Sequence, residues 1–179
     1  MDAMQLLLAF IFLGAVLWAG FSAPLLRRLY AQLTVSEPPS HADVIALCGE
    51  GSSTAAIQAI TLHDAGYADD FALVGDSETT ERWRADLTQA GIDAKHVHVC
   101  AASDDPTQQS HALMLACGQY GWKRVLLVSA TLYSRLMHEA IAPAAQAHGL
   151  RLWSTPPAMR SQPSASTLWR ALWAWLRYS

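Results

Sequence analysis

Residues 41–59 read HADVIALCGEGSSTAAIQA: a short apolar run, a turn bracketed by Gly49 and Gly51, and a helix-forming segment. This order predicts the first strand, first loop and first helix of an α/β domain. A loop so placed sets backbone N–H groups and a helix N-terminus beside the carboxyl end of a strand, where open parallel sheets bind ligands.

Working outward, the same alternation repeats. Apolar runs lie at 43–48, 70–75, 96–100, 124–130 and 150–154, with helical segments between them at 53–65, 78–90, 107–120 and 132–148. Nearly continuous apolar strands alternating with helices predict a parallel sheet covered on both faces. The expected fold is therefore α/β, a doubly wound, mostly parallel five-stranded sheet in the order 3-2-1-4-5, over a domain at 42–157. Gly66, Gly91, Gly121 and Gly149 each follow a helical segment and precede a strand, which fits helix termination at positive φ. Asp105 or Thr107 is the expected N-cap of the third helix, with Pro106 near its first turn.

The ends of the chain differ in character. Of 179 residues 52% are hydrophobic and only 15% charged, with a mean hydropathy of +0.16, and the excess gathers at the N-terminus. Ala3 to Leu26 carry no charge, and as a helix would reach about 36 Å, enough to cross a bilayer. Asp2 and the lack of Lys or Arg before the apolar run argue against a cleaved signal peptide. The expectation is a transmembrane helix at 3–26, a linker at 27–41 containing Pro38-Pro39, and single-pass anchoring in a bacterial inner membrane. Arg27 and Arg28 put the following domain on the cytoplasmic side by the positive-inside rule. At 164–178, Leu168, Trp169, Leu172, Trp173, Trp175 and Leu176 predict an amphipathic Trp-rich helix that packs on the domain or lies in a membrane interface. The expected partners are the lipid bilayer and another membrane protein, met through the transmembrane helix or the C-terminal helix. A net charge of −3 with scattered Lys and Arg excludes nucleic acid.

Candidate ligand-binding residues are those just after each strand. The first loop supplies Gly49, Glu50, Gly51, Ser52 and Ser53; Asp76 follows the second strand; the loops after the third and fourth supply Thr107, Ser129 and Arg135. The first loop lacks the lysine and spacing of a Walker loop, Thr54 stands where a dinucleotide fingerprint has its third glycine, and Glu50 opposes a phosphate. Ser129 lacks the flanking glycines of a nucleophile elbow. His96 and His98 alternate on an expected edge strand without a third metal ligand at suitable spacing, and Cys48, Cys100 and Cys117 read as core thiols, so no metal site is expected.

The assembled pattern resembles the ElyC/SanA/YdcF family of bacterial envelope proteins over about 42–157. The resemblance rests on ADVIALCGEG (42–51), Ala59-x2-Leu62-x3-Gly66, LVGD (73–76), DLTQAGI (86–92), Thr107-Gln-Gln-Ser110 and LLVSA (126–130), and on an apolar segment ahead of the domain. It implies an α/β domain tied to envelope integrity, S-adenosylmethionine binding in one branch, periplasmic placement as an alternative, and Ser110 as a further site position. The family's arginine, acid, histidine and second arginine fall on Ala55, Thr79, Tyr133 and Leu136, and Arg135 is one residue out of register.

Two readings follow. One is a membrane-anchored, non-catalytic envelope protein acting through partners, favoured by Ala55, Thr79, Tyr133 and Leu136. The other is an enzyme or binding domain for a phosphate-bearing or nucleotide-like small molecule at the strand ends.

Overall fold

The computed structural model describes residue 28 and residues 30–158 and 165–178. The elements run β1 (Val44–Cys48), α1 (Ser53–Asp64), β2 (Asp70–Gly75), α2 (Ser77–Gln89), β3 (Val97–Ala101), α3 (Pro106–Tyr120), β4 (Arg124–Val128), α4 (Ser134–Ala147), β5 (Arg151–Ser154) and α5 (Ala165–Tyr178). One-turn 3-10 helices lie at Ala94–His96 and Thr131–Tyr133. The strands form one sheet in the order β3-β2-β1-β4-β5, and every neighbouring pair is parallel, as the alternation predicts.

All five residues of β1 have zero exposure, because the strand is paired on both edges and covered on both faces. Val44, Ala46 and Cys48 join a core with Leu113 and Cys117 of α3 and Met137 and Ile141 of α4. Ile45 and Leu47 join the opposite core with Ala55, Ala56 and Ala59 of α1 and Trp83 and Leu87 of α2. The alanines give α1 a thin inner face that brings it close to the sheet, and Trp83, fully buried, fills the space beside it.

Helix boundaries follow local chemistry. The Asp76 carboxylate accepts from the Thr79 amide at 2.7 Å and starts α2. Asp105 starts α3 in the same way, accepting from Thr107 and Gln108 with Pro106 in the first turn.

Residues ahead of β1 are tied to the domain. Leu33 is 2% exposed against Leu132 and Ala171. The Val35 amide donates to Ser134 Oγ at 3.0 Å. Glu37 pairs reciprocally with Ser154 of β5, its amide donating to the carbonyl at 2.7 Å and its carboxylate accepting the Ser154 amide at 3.0 Å. Most of the expected linker thus runs along the domain surface.

The membrane reading is corrected. No helix among the described residues is long and apolar enough to cross a membrane. The longest, α3 with 15 residues, would reach ~22 Å against a hydrocarbon core of ~30 Å. The expected transmembrane helix at 3–26 lies outside the described residues. The single-pass anchor, the lipid bilayer and membrane-protein partners, the inner-membrane placement and the partner-dependent envelope role all require such a helix, and no described helix supplies it.

At the amino end of the sheet Asp43 clamps β1 to β4. Its carboxylate accepts from the Lys123 and Arg124 amides at 2.7 and 2.9 Å and from Arg124 Nε and Nη2 at 3.0 and 2.6 Å. Burial pushes this carboxyl up, but the guanidinium and the two amides outweigh burial and hold it below the usual carboxylate range. A depressed pKa contributes stability that is present above the unfolded value of about 3.9 and lost as pH falls through the folded one. Asp43→Asn is expected to cost about 1–3 kcal/mol at pH 7, from hydrogen bonds to a charged group, and to flatten the acid limb of stability below about pH 4. Urea titrations of both proteins at pH 7 and pH 3 check this.

Candidate functional site

The strand order reverses beside β1. The chain leaves β1 through α1 toward β2, and later returns from β3 through α3 to β4 on the other side of β1. The loops after β1 and β4 therefore part toward opposite faces and open a crevice beyond the carboxyl ends of the strands, which is where ligands bind in such sheets.

The first loop is braced from three directions. Gly49 has a φ of +93°, a region open to glycine at little cost, and its amide donates to Gln109 Oε1 at 2.8 Å. Gln109 has zero exposure, and its own amide donates to the Ser103 carbonyl at 3.1 Å, so one buried side chain links the loops after β1 and β3. Arg82 Nη1 donates to the Gly51 carbonyl at 3.1 Å, and Trp83 Nε1 donates to the Ser52 carbonyl at 3.3 Å. A Cβ on Gly51 would stand 3.0 Å from Thr79 Oγ1 and 3.1 Å from its methyl, so close packing against Thr79 favours glycine there.

Over this loop lies a cleft of about 340 Å³. Its floor is Gly49, Glu50 and Gly51; its sides are Asp76, Glu78, Thr79, Asp104, Tyr133 and Leu136; Ala174 and Tyr178 of α5 close it. Four of these residues are carboxylic acids. The Thr79 amide and hydroxyl, with Arg82 nearby, hold Asp76 below the usual carboxylate range. Arg82 is itself paired with Glu78 at 2.9 Å, so it adds little net positive charge. Tyr133 is pushed up to about 12, first by burial and then by the neighbouring Glu50 carboxylate.

The candidate residues divide. Gly49, Glu50, Gly51 and Asp76 line the cleft. Ser52 lines a neighbouring one, and Ser53 opens α1, exposed. Thr107 lies in a separate groove with His111 and Leu115, and Ser110 is buried on α3. Ser129 has zero exposure and a hydroxyl without a partner among the described residues; its Cβ lies 3.9 Å from where a Gly49 Cβ would stand, against the loop and outside the cleft lining. Arg135 pairs with Glu139 at 3.3 Å and lies beside Gln32, Leu33 and Trp175. Of the positions where the resemblance lacks its polar groups, Thr79, Tyr133 and Leu136 form cleft wall while Ala55 is core.

Other polar groups are structural. His96 lies in the 3-10 turn, its Nδ1 2.7 Å from Asp70 Oδ1. His98, on edge strand β3, packs against Tyr120 and Trp122 with ring centroids 4.3 and 5.2 Å away. Among the described residues no three His, Cys, Asp or Glu side chains are grouped to hold a metal ion. Burial raises the Cys48 thiol and pushes Cys100 and Cys117 up to about 11, so these thiols stay protonated at neutral pH and are poor nucleophiles.

Sequence reasoning missed Gln109 and the contribution of α5. Gln109, Leu113 and Cys117 share one buried helix face at four-residue spacing, and an amide interrupting an apolar stripe is the signal that finds it. The roof residues Ala174 and Tyr178 leave no local trace, because only tertiary packing brings them over the loop.

No protein-family model matches the chain, and no curated protein matches it in sequence.

Gln109→Leu leaves the Gly49 amide without its acceptor and is expected to cost about 1–3 kcal/mol, with faster exchange of the Gly49 amide proton by NMR than in the parent. For Tyr133 the raised pKa means stability is fully present below the unfolded value of about 10 and falls as pH rises toward 12. Tyr133→Phe is expected to remove that part of the alkaline loss, measured by thermal denaturation between pH 9 and about 11.

Proposed function

We propose that this chain is a small-molecule-binding α/β domain whose ligand is nucleotide-like and is held through its nucleoside part in the cleft over residues 49–51. The observation that carries the reading is the convergence of the Gly49–Gly51 loop and the Asp76 carboxylate on one cleft where the strand order reverses. In nucleotide-binding α/β folds the glycine turn after the first strand lets a ligand approach the backbone, and an acid farther along accepts from ribose hydroxyls. Asp76, held ionised just after β2, suits that second task.

Charge selects between nucleotide-like and phosphate-bearing ligands. A helix N-terminus favours an anion by about 0.3–1 kcal/mol at an exposed site. One like-charge contact at 4 Å opposes it by about 4 kcal/mol at an effective dielectric of 20. The cleft carries Glu50, Asp76, Glu78 and Asp104, and the Gly49 and Ser52 amides already donate within the protein. Repulsion wins, so a neutral or cationic nucleoside is favoured over a phosphate. S-adenosylmethionine, a nucleoside sulfonium, satisfies both conditions. It enters through the ElyC/SanA/YdcF resemblance, and that relationship is part of the same proposal.

Thermal shift measurements with adenosine, S-adenosylmethionine and ATP at equal concentrations test this. A ligand at 100 times its Kd adds about 2.7 kcal/mol of stability, so a rise of several degrees is expected with either of the first two and none with ATP. Gly51→Trp, folded by circular dichroism, is expected to lose the rise. No shift with any of the three, or the largest shift with ATP, sinks the reading.

A further inference from the structure

On the other side of Glu50 and Tyr133 lies a second cleft, about 560 Å³. The two clefts share those two side chains as their common wall, so a tyrosine and a glutamate side chain separate them. Helix α5 runs over both: Thr167 lines the second, while Ala174 and Tyr178 close the first. The 11 residue steps from Thr167 to Tyr178 span ~16 Å at a helical rise of 1.5 Å per residue.

The chemistry of the second cleft differs from that of the first. Among the described residues Glu50, on the shared wall, is its only charged lining residue, and its polar groups are hydroxyls and the Gln58 amide. Several hydroxyls are already engaged: Ser52 Oγ lies 2.6 Å from Thr54 Oγ1, and Thr131 Oγ1 donates to the Pro157 carbonyl at 2.8 Å. What remains open is largely apolar surface, with Ile57 55% exposed on a helix whose other face is buried alanine. Apolar surface left open in a concave site gains from contact with an apolar group, and an anion there would meet no opposite charge among the described lining residues.

We infer that the trough is bipartite: the ligand carries a neutral, apolar group joined to its nucleoside part, and that group occupies the second cleft against Ile57, Leu132 and Pro157, across the Glu50–Tyr133 wall. This rests on the nucleoside reading of the first cleft. Adenosine and 5′-O-benzoyladenosine, titrated calorimetrically into the full chain, separate the two ideas. The benzoyl compound is expected to bind at least ~10-fold tighter than adenosine, and the ratio is expected to fall toward one in Ile57→Glu, an exposed position whose change leaves the core intact. Thr54→Trp, which fills the cleft from another side, is expected to collapse the same ratio. Adenosine bound as tightly as the benzoyl compound, or a ratio unchanged in both variants, overturns the second compartment and leaves the first. Binding of neither compound overturns the nucleoside reading and this inference together.

Discussion

The complete burial of β1 is the constraint from which the other features descend. A strand with zero exposure along its length must have its amides and carbonyls paired on both edges, since an unpaired buried polar group costs about 1–3 kcal/mol. It must also have apolar cover on both faces. Parallel neighbours β2 and β4 meet the first demand, and helices on opposite faces meet the second. The chain order then places the reversal at β1, with β2 and β4 on its two sides, and the crevice over residues 49–51 follows from the reversal.

Within that crevice, backbone and side chain pull in different directions. The fold presents a glycine turn and a helix start, features that suit an anion, while the side chains supply carboxylates. Gln109 resolves part of this internally by taking the Gly49 amide, and Arg82 takes the Gly51 carbonyl. The loop is held in place by protein groups before any ligand arrives. Preorganisation of this kind lowers the ordering cost of binding, and it moves the choice of ligand from the backbone to Glu50, Asp76 and their neighbours.

Strand order and helix limits were legible in the sequence because burial on both faces writes itself as uninterrupted apolar runs, such as VIALC and RVLLV, and because positive-φ glycines punctuate the helix ends. The first loop and Asp76 were legible for the same reason: they sit one step beyond those runs. Ser110, Ser129 and Arg135 lie outside the lining of that cleft, because spacing along the chain does not say which way a side chain turns. Ser129 ends a buried strand and packs inward, and Arg135 turns toward Glu139 and the segment around Leu33. The apolar run at 3–26 was read from hydropathy alone, and no described helix carries a membrane-spanning role.

Helix α5 is fastened through a third, small cluster of Leu33, Leu132 and Ala171, with Tyr30, Tyr133 and Trp175 around it, separate from the two cores that hold the sheet. Trp175 Nε1 adds a hydrogen bond to Glu139 at 2.8 Å. Among the described residues, the side chains that hold α5 belong to neither sheet core, and a unit fastened apart from the core can open locally without global unfolding. Access to the clefts and persistence of the fold are thus set by different side chains. Substitution at Leu33 or Ala171 loosens the helix beside the clefts while leaving both sheet cores as they are.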